Sequence, residues 1–205
     1  MYLTYGSKIG RLIGMGRPKG FEPERAVEQA MQTFWTKGYG ATSPADLAEA
    51  TGVGKGSLYH AFGSKRELFD RALQMYCRAG AELTAEVLDR PGTAKERIRA
   101  YLVMLVDRDL EGPVPRGCLA ANTALELGGR DEEATRAVRR VAEQTIELLR
   151  DRIARGQLDG DVAAGVDALA QARLIANTLM GLRVMARTFD RAMLHGVIDS
   201  ALAGL

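Results

Sequence analysis

Aromatic residues make up only 6% of this 205-residue chain; proline occurs six times, and cysteine and histidine twice each. Few aromatics and prolines set among much Ala, Leu, Arg, Glu and Met favour helix over strand, so an all-α protein is expected. Cys77 and Cys118 stand far apart, which gives no metal-type spacing and argues against a disulfide framework. His60 and His195 belong to no cluster, so neither a metal nor a cofactor is expected. No run approaches the roughly 18 apolar residues of a membrane-crossing helix, and the N-terminus lacks an apolar stretch followed by a small-residue cleavage site. A soluble, cytoplasmic protein without a membrane partner is therefore expected. A Gly-rich phosphate loop, a nucleophile elbow and a helical HExxH are missing too, so nothing supports catalysis.

What is present is unevenly distributed. The net charge is only +2, yet up to Arg66 nine basic residues face five acidic ones, leaving the rest mildly acidic. A small basic unit joined to a larger acidic one suits a phosphate-binding module on a partner that does not bind phosphate. Residues 1–20 are Gly-rich, basic and without sustained period, and read as an arm; alternatively Met15 is the natural start and the residues before it are an upstream extension.

From Glu22 to Lys37, Ala26, Val27, Ala30, Met31, Phe34 and Trp35 recur at intervals of three and four, the mark of an amphipathic helix. Ser43-Pro44-Ala45-Asp46 predicts a capping box opening a short helix to about Thr51. Gly52-Val53-Gly54 breaks it, and Lys55 to Phe62 forms a second short helix. Ser64 and Glu67 predict another capping box at the head of a long helix. Ala48 lets the two short helices approach, Gly52 supplies a turn a side chain would resist, and Leu47, Val53, Leu58 and Ala61 pack them: the steric needs of a helix-turn-helix. Phe34, Trp35, Leu47, Leu58 and Phe62 are assigned to the core of this small domain. Lys55, Ser57, Tyr59 and His60 face outward, able to reach phosphates and base edges.

The segments GRPKGF and AMQTFWTKGYGATSPADLAEATGVGKGSLYHAFGSKRELF resemble the DNA-binding region of the tetracycline-repressor-like (TetR/AcrR) family, from about Gly16 to Phe69 without a gap. The resemblance implies nine or ten helices, a homodimer, and recognition helices entering successive major grooves of a palindromic operator in double-stranded DNA. On the matching positions it implies phosphate contacts for Thr42, Tyr59 and Lys65, and places Lys55, Gly56, Ser57 and His60 at or near the bases. Lys65 has an independent reason, since the first turn of a helix attracts phosphate. The chain divides accordingly into an arm (1–20), a helix-turn-helix domain (21–66) and a helical ligand-binding and dimerisation domain (67–205).

Further helices are expected over Ala94 to about Leu110, Cys118 to Leu127, Glu132 to Arg155, Val166 to about Phe189, and Arg191 to Leu202, with Gly156 through Gly160 as punctuation. The last two carry too much apolar surface for one face; a dimer interface is one use for the surplus, and burial within one subunit is the other. A pocket for a small-molecule inducer would draw on Tyr76, Tyr101, Met104, Leu105, Cys118, Asn122, Leu125 and Met180, although Met and Leu at helical spacing also make ordinary core. Arg116-Gly117-Cys118 resembles a segment found in a TetR-like subgroup, some members of which respond to electrophiles or oxidants through that cysteine. A helix N-terminus and Arg116 would both favour its thiolate. The leading expectation is a ligand-released repressor; a redox regulator acting through Cys118 and a helical enzyme are the alternatives.

Overall fold

The computed structural model describes residues 21–111 and 116–205. The arm with its two possible starts, and the Pro-containing segment 112–115, lie outside the described residues. Within them the chain forms nine helices and no strand: α1 (Pro23–Lys37), α2 (Pro44–Thr51), α3 (Lys55–Phe62), α4 (Lys65–Asp89), α5 (Ala94–Leu110), α6 (Leu119–Leu127), α7 (Glu132–Asp159), α8 (Ala168–Met185) and α9 (Arg191–Ala201). No helix among them is long and apolar enough to cross a membrane.

Local chemistry sets the early boundaries. The Ser43 hydroxyl accepts from the Asp46 N–H while the Asp46 carboxylate accepts from the Ser43 N–H, closing the expected box. Gly52 then ends α2 in the left-handed conformation at φ +63°, which a side chain would disfavour. The second box stays half-made: the Ser64 hydroxyl accepts from the Glu67 N–H, but the Glu67 carboxylate accepts from that same hydroxyl rather than from backbone.

Two cores result. The smaller gathers Val27, Ala30 and Phe34 of α1, Leu47 of α2, Leu58 and Phe62 of α3, Leu68, Phe69 and Leu73 of α4, and Leu119 of α6. Phe34 and Phe69 meet edge to face with centroids 5.1 Å apart, a favoured aromatic geometry. The larger is built from α4, α5, α7, α8 and α9, with Val87 and Leu88 at the far end of α4 joining Ile98, Leu102, Ile153, Ile175, Leu179, Leu194 and Ile198. Helix α4 therefore belongs to both cores.

Much of the apolar surface on α8 and α9 is consumed inside the subunit, where Ala172, Ile175, Leu179, Leu182, Leu194, Ile198 and Leu202 are buried. A narrower outward seam remains on α8, where Ala170, Leu174, Asn177, Gly181 and Val184 alternate at spacings of four and three. Helix α8 is also shorter at both ends than its apolar pattern predicts.

Gly156 corrects the reading of its neighbourhood as punctuation. It is buried inside α7, which runs on to Asp159, and a Cβ there would lie 2.7 Å from Ala94 Cβ and 2.8 Å from Val162 Cγ2. Replacing Gly156 with Ala gains roughly 1 kcal/mol of helix propensity but overpacks a contact with core neighbours, at a cost of about 1–3 kcal/mol. The expected result is a net loss of stability, read as a lower urea midpoint.

Candidate functional site

Helix α3 follows Gly54, an N-cap that has no side chain to cap it, so its first-turn N–H groups and the positive end of its dipole are open. Lys55, Gly56, Ser57 and His60 are all exposed there, while Leu58 and Phe62 are buried beneath. Gly56 has an ordinary backbone conformation, and a Cβ added to it would meet nothing within 4 Å. The protein's own packing gives no reason for a glycine at that position, whereas close approach of an outside surface does.

Tyr59 lies half-buried at the edge of this face, and its hydroxyl is buried with no hydrogen-bond partner among the described residues. Burial and the neighbouring Tyr39 push its pKa upward, so the phenol keeps its proton and is a donor lacking an acceptor. An unsatisfied buried hydroxyl costs about 1–3 kcal/mol, a cost an incoming acceptor relieves. Lys65 places its ammonium 4.4 Å from the centre of the Tyr39 ring. Tyr39 had no role in the sequence reading, because it lies between helices where periodicity gives no signal.

Thr42 departs from expectation. It is 1% exposed and its hydroxyl donates to Gly38 O at 2.6 Å, so the side chain braces the turn before α2 instead of facing a phosphate. Ser43 is occupied as the cap. Lys37 pairs with Asp46 at 2.6 Å, and this contact, with the bonds from Ser43, holds the Asp46 carboxyl well below its usual range.

In the larger half, a cavity of about 370 Å³ opens between α1, α4, α5, α7 and α8. Tyr76, Tyr101, Leu105, Cys118 and Met180 line it, as does Cys77, which also packs against the smaller core. Burial pushes the Cys77 thiol up to about 12, which keeps it protonated. Three candidates are not brought to the wall. Met104 packs against the larger core. Asn122 accepts from Arg187 and donates to Arg116 O. Leu125 is 73% exposed, because α6 turns that face outward.

Sequence reasoning missed the polar floor. The Arg183 guanidinium donates to both carboxylate oxygens of Asp109 at 2.7 Å, with side-chain exposures of only 8% and 5%. It also donates to the Tyr76 hydroxyl at 3.2 Å and to Gly117 O at 3.1 Å. A signal existed: Asp109 continues the buried stripe of Leu102, Leu105 and Val106, and Arg183 that of Leu179 and Leu182. Opposite charges on two apolar faces imply that they meet.

The expected setting of Cys118 is also corrected. Arg116 does not flank the thiol; its guanidinium lies 4.2 Å from the centre of the Trp35 ring and donates to Gln32. Cys118 itself is 5% exposed. Trp35 packs half-buried against the small core as assigned, and it also points its indole N–H at Gly117 O at 2.9 Å and sets its ring edge-on to Tyr76. Gly117 O thus joins a residue of the cavity floor to α1. Two further contacts tie the halves together: the Glu126 carboxylate accepts from the N–H groups of Tyr39 and Gly40, and Arg66 pairs with Asp131.

An exposed second helix on a glycine turn, joined to a helical body that encloses a cavity, defines a helix-turn-helix regulator. Residues 26–72 match the model described as bacterial regulatory proteins, tetR family, and residues 94–199 match the tetracyclin repressor-like C-terminal domain. The chain belongs to the tetR family. It is 29% identical over 193 residues to YezE of Bacillus subtilis, an uncharacterized HTH-type transcriptional regulator, covering 93% of this chain and 100% of that one. To the HTH-type transcriptional repressor ComR of Escherichia coli it is 27% identical, covering 84% and 82% of the two chains. Among solved structures, a cysteine-substituted form of the TetR family regulator CifR in complex with 26-base-pair operator DNA aligns with a TM-score of 0.81 and 38% identity, covering 92% of this chain and 98% of that one.

Proposed function

We propose that the protein is a cytoplasmic, homodimeric repressor that holds a palindromic operator through α3 and releases it when a small molecule enters the cavity. The observation that carries the DNA-binding part is the buried Tyr59 hydroxyl, without a partner among the described residues, on the same helix whose N-terminus is open. Tyr59 and Lys65 serve as phosphate contacts, and Lys55, Gly56, Ser57 and His60 stand at or near the bases; Thr42 supports them from below. Residues 21–66 supply the reading surface and, through α1, part of the cavity wall, and residues 67–205 supply the rest of the cavity and the dimer contact. The relative bound to operator DNA, aligned along nearly the whole chain, supports the same reading.

The outward seam of α8 supports the dimer. Its spacing of four and three is that of helices packed side by side, and at Gly181 and at Gly196 of α9 an added Cβ would meet nothing within 4 Å, leaving room for a second helix. Two reading heads in one dimer must match half-sites roughly 34 Å apart. A ligand need only favour a state in which that spacing is lost. A redox role for Cys118 has less support, since the thiol is buried and Arg116 is turned away from it.

The test is binding of the purified protein to its own upstream intergenic DNA across a salt series. Wild type is expected to show saturable, salt-sensitive binding to a palindrome. Lys65→Ala is expected to weaken binding across sequences and to reduce the salt slope by about 1, and Tyr59→Ala to weaken binding as well. Failure to select any palindrome from random DNA would sink the reading.

A further inference from the structure

The chemistry of the cavity wall narrows what can enter. Two opposed charges, Arg183 and Asp109, lie buried at its floor and neutralise one another through two 2.7 Å bonds. Arg108 is exposed, and Arg116 is already engaged with Trp35 and Gln32. The hydroxyls of Thr84 and Tyr101 are bonded to each other at 2.9 Å. Among the described residues no buried charge of the lining is left for an ionic ligand, whose transfer to such a site would be costly.

One polar group is differently placed. The Tyr76 phenol oxygen accepts from Arg183, while its proton goes to Cys118 Sγ at 3.5 Å. Sulfur is a weak acceptor, and donation from a guanidinium polarises the phenol and strengthens it as a donor. Burial pushes the Tyr76 pKa upward, so the proton stays in place. The floor therefore offers one strong donor with a poor partner, among Leu, Met and aromatic side chains that adapt to apolar shapes. At about 370 Å³ the space stands near the lower end of the roughly 300–1,000 Å³ usual for ligand pockets.

We propose that this cavity binds an uncharged, largely apolar small molecule carrying a hydrogen-bond-accepting oxygen, which takes the Tyr76 phenol proton from Cys118. The inference rests on the proposed ligand-responsive role of the same cavity, and it names the ligand class. A ligand drawing on Tyr76 perturbs the group that shares Arg183 with Gly117 O, and so reaches Trp35.

Calorimetry on the full-length protein tests this with three probes of similar size: acetophenone, ethylbenzene and benzoate. Acetophenone has the accepting oxygen, ethylbenzene is its apolar counterpart, and benzoate is the anion. Acetophenone is expected to bind about two- to tenfold tighter than ethylbenzene, with benzoate weakest. Tyr76→Phe is expected to erase the preference while keeping ethylbenzene binding, and Cys118→Ala to preserve it, since the phenol then has no competing acceptor. Should Tyr76→Phe fail to fold, infrared difference spectra of the wild-type complex serve instead: a carbonyl stretch lowered on binding supports the hydrogen bond, and an unshifted one overturns it. Ethylbenzene binding as tightly as acetophenone, benzoate binding tightest, or no probe binding at all would each overturn the proposal. Operator binding is measured on the same preparations, so ketone selectivity without operator binding would support this inference while overturning the regulator reading.

Discussion

Asp109→Asn is expected to lower the unfolding free energy by about 3–5 kcal/mol, the usual cost of breaking a buried ion pair by removing one charge. The carboxylate holds both arms of the Arg183 guanidinium in a setting that leaves the two side chains 5% and 8% exposed. A neutral amide leaves that guanidinium buried without its counter-charge. Urea denaturation at fixed protein concentration measures the loss, because dimer stability depends on concentration. The companion experiment is the paired replacement Asp109→Leu with Arg183→Met. Apolar substitutes for buried ion pairs are often neutral or stabilising, so the double variant is expected to regain most of the lost stability. A single variant as stable as wild type would mean that the pair does not form as described.

Glu126→Ala is expected to leave the affinity for ligand unchanged and to shrink the ligand's effect on operator affinity by about fivefold or more, the lower range of usual coupling energies. Glu126 stands near the end of α6 and accepts the Tyr39 and Gly40 N–H groups in the turn between α1 and α2. An added Cβ at Gly38 or Gly40 would come within 2.9 Å of its carboxylate oxygens, so the glycines make room for this clasp. Without the carboxylate, movement of α6 loses one of its grips on the reading head. Operator titrations with and without ligand, set beside calorimetry on the protein alone, separate coupling from binding. Unchanged coupling would assign transmission to the Trp35–Gly117 contact and the Arg66–Asp131 pair.

Where side chains and backbone interact locally, the sequence was enough to read. Helices α2 and α3 run between the residues expected of them, because Ser43 and Pro44, or glycines at 52, 54 and 63, act within a few residues of the boundary. Long-range packing was not legible. Gly156 looks like a helix breaker until Ala94 and Val162 are seen against it, and Arg183 finds Asp109 across 74 residues of sequence. In the candidate site, the exposed face of α3 followed from its spacing. Thr42 did not, since the turn that draws its hydroxyl to Gly38 O turns the side chain inward. Leu125 failed because α6 spans only nine residues, too few for periodicity to fix which face is buried.

The sharing of α4 between the two cores constrains how such a regulator can be rebuilt. A head cut after Arg66 would leave behind Leu68, Phe69, Ala72 and Leu73, together with Leu119 from α6, all of which belong to the same buried core as Phe34. A graft meant to transfer operator preference must carry the chain at least through Leu73 and must find a residue equivalent to Leu119 waiting in the recipient. The same common wall channels divergence among related proteins. The outer face of α3 and the lining of the cavity are free to drift separately, while the residues between them can change only in concert.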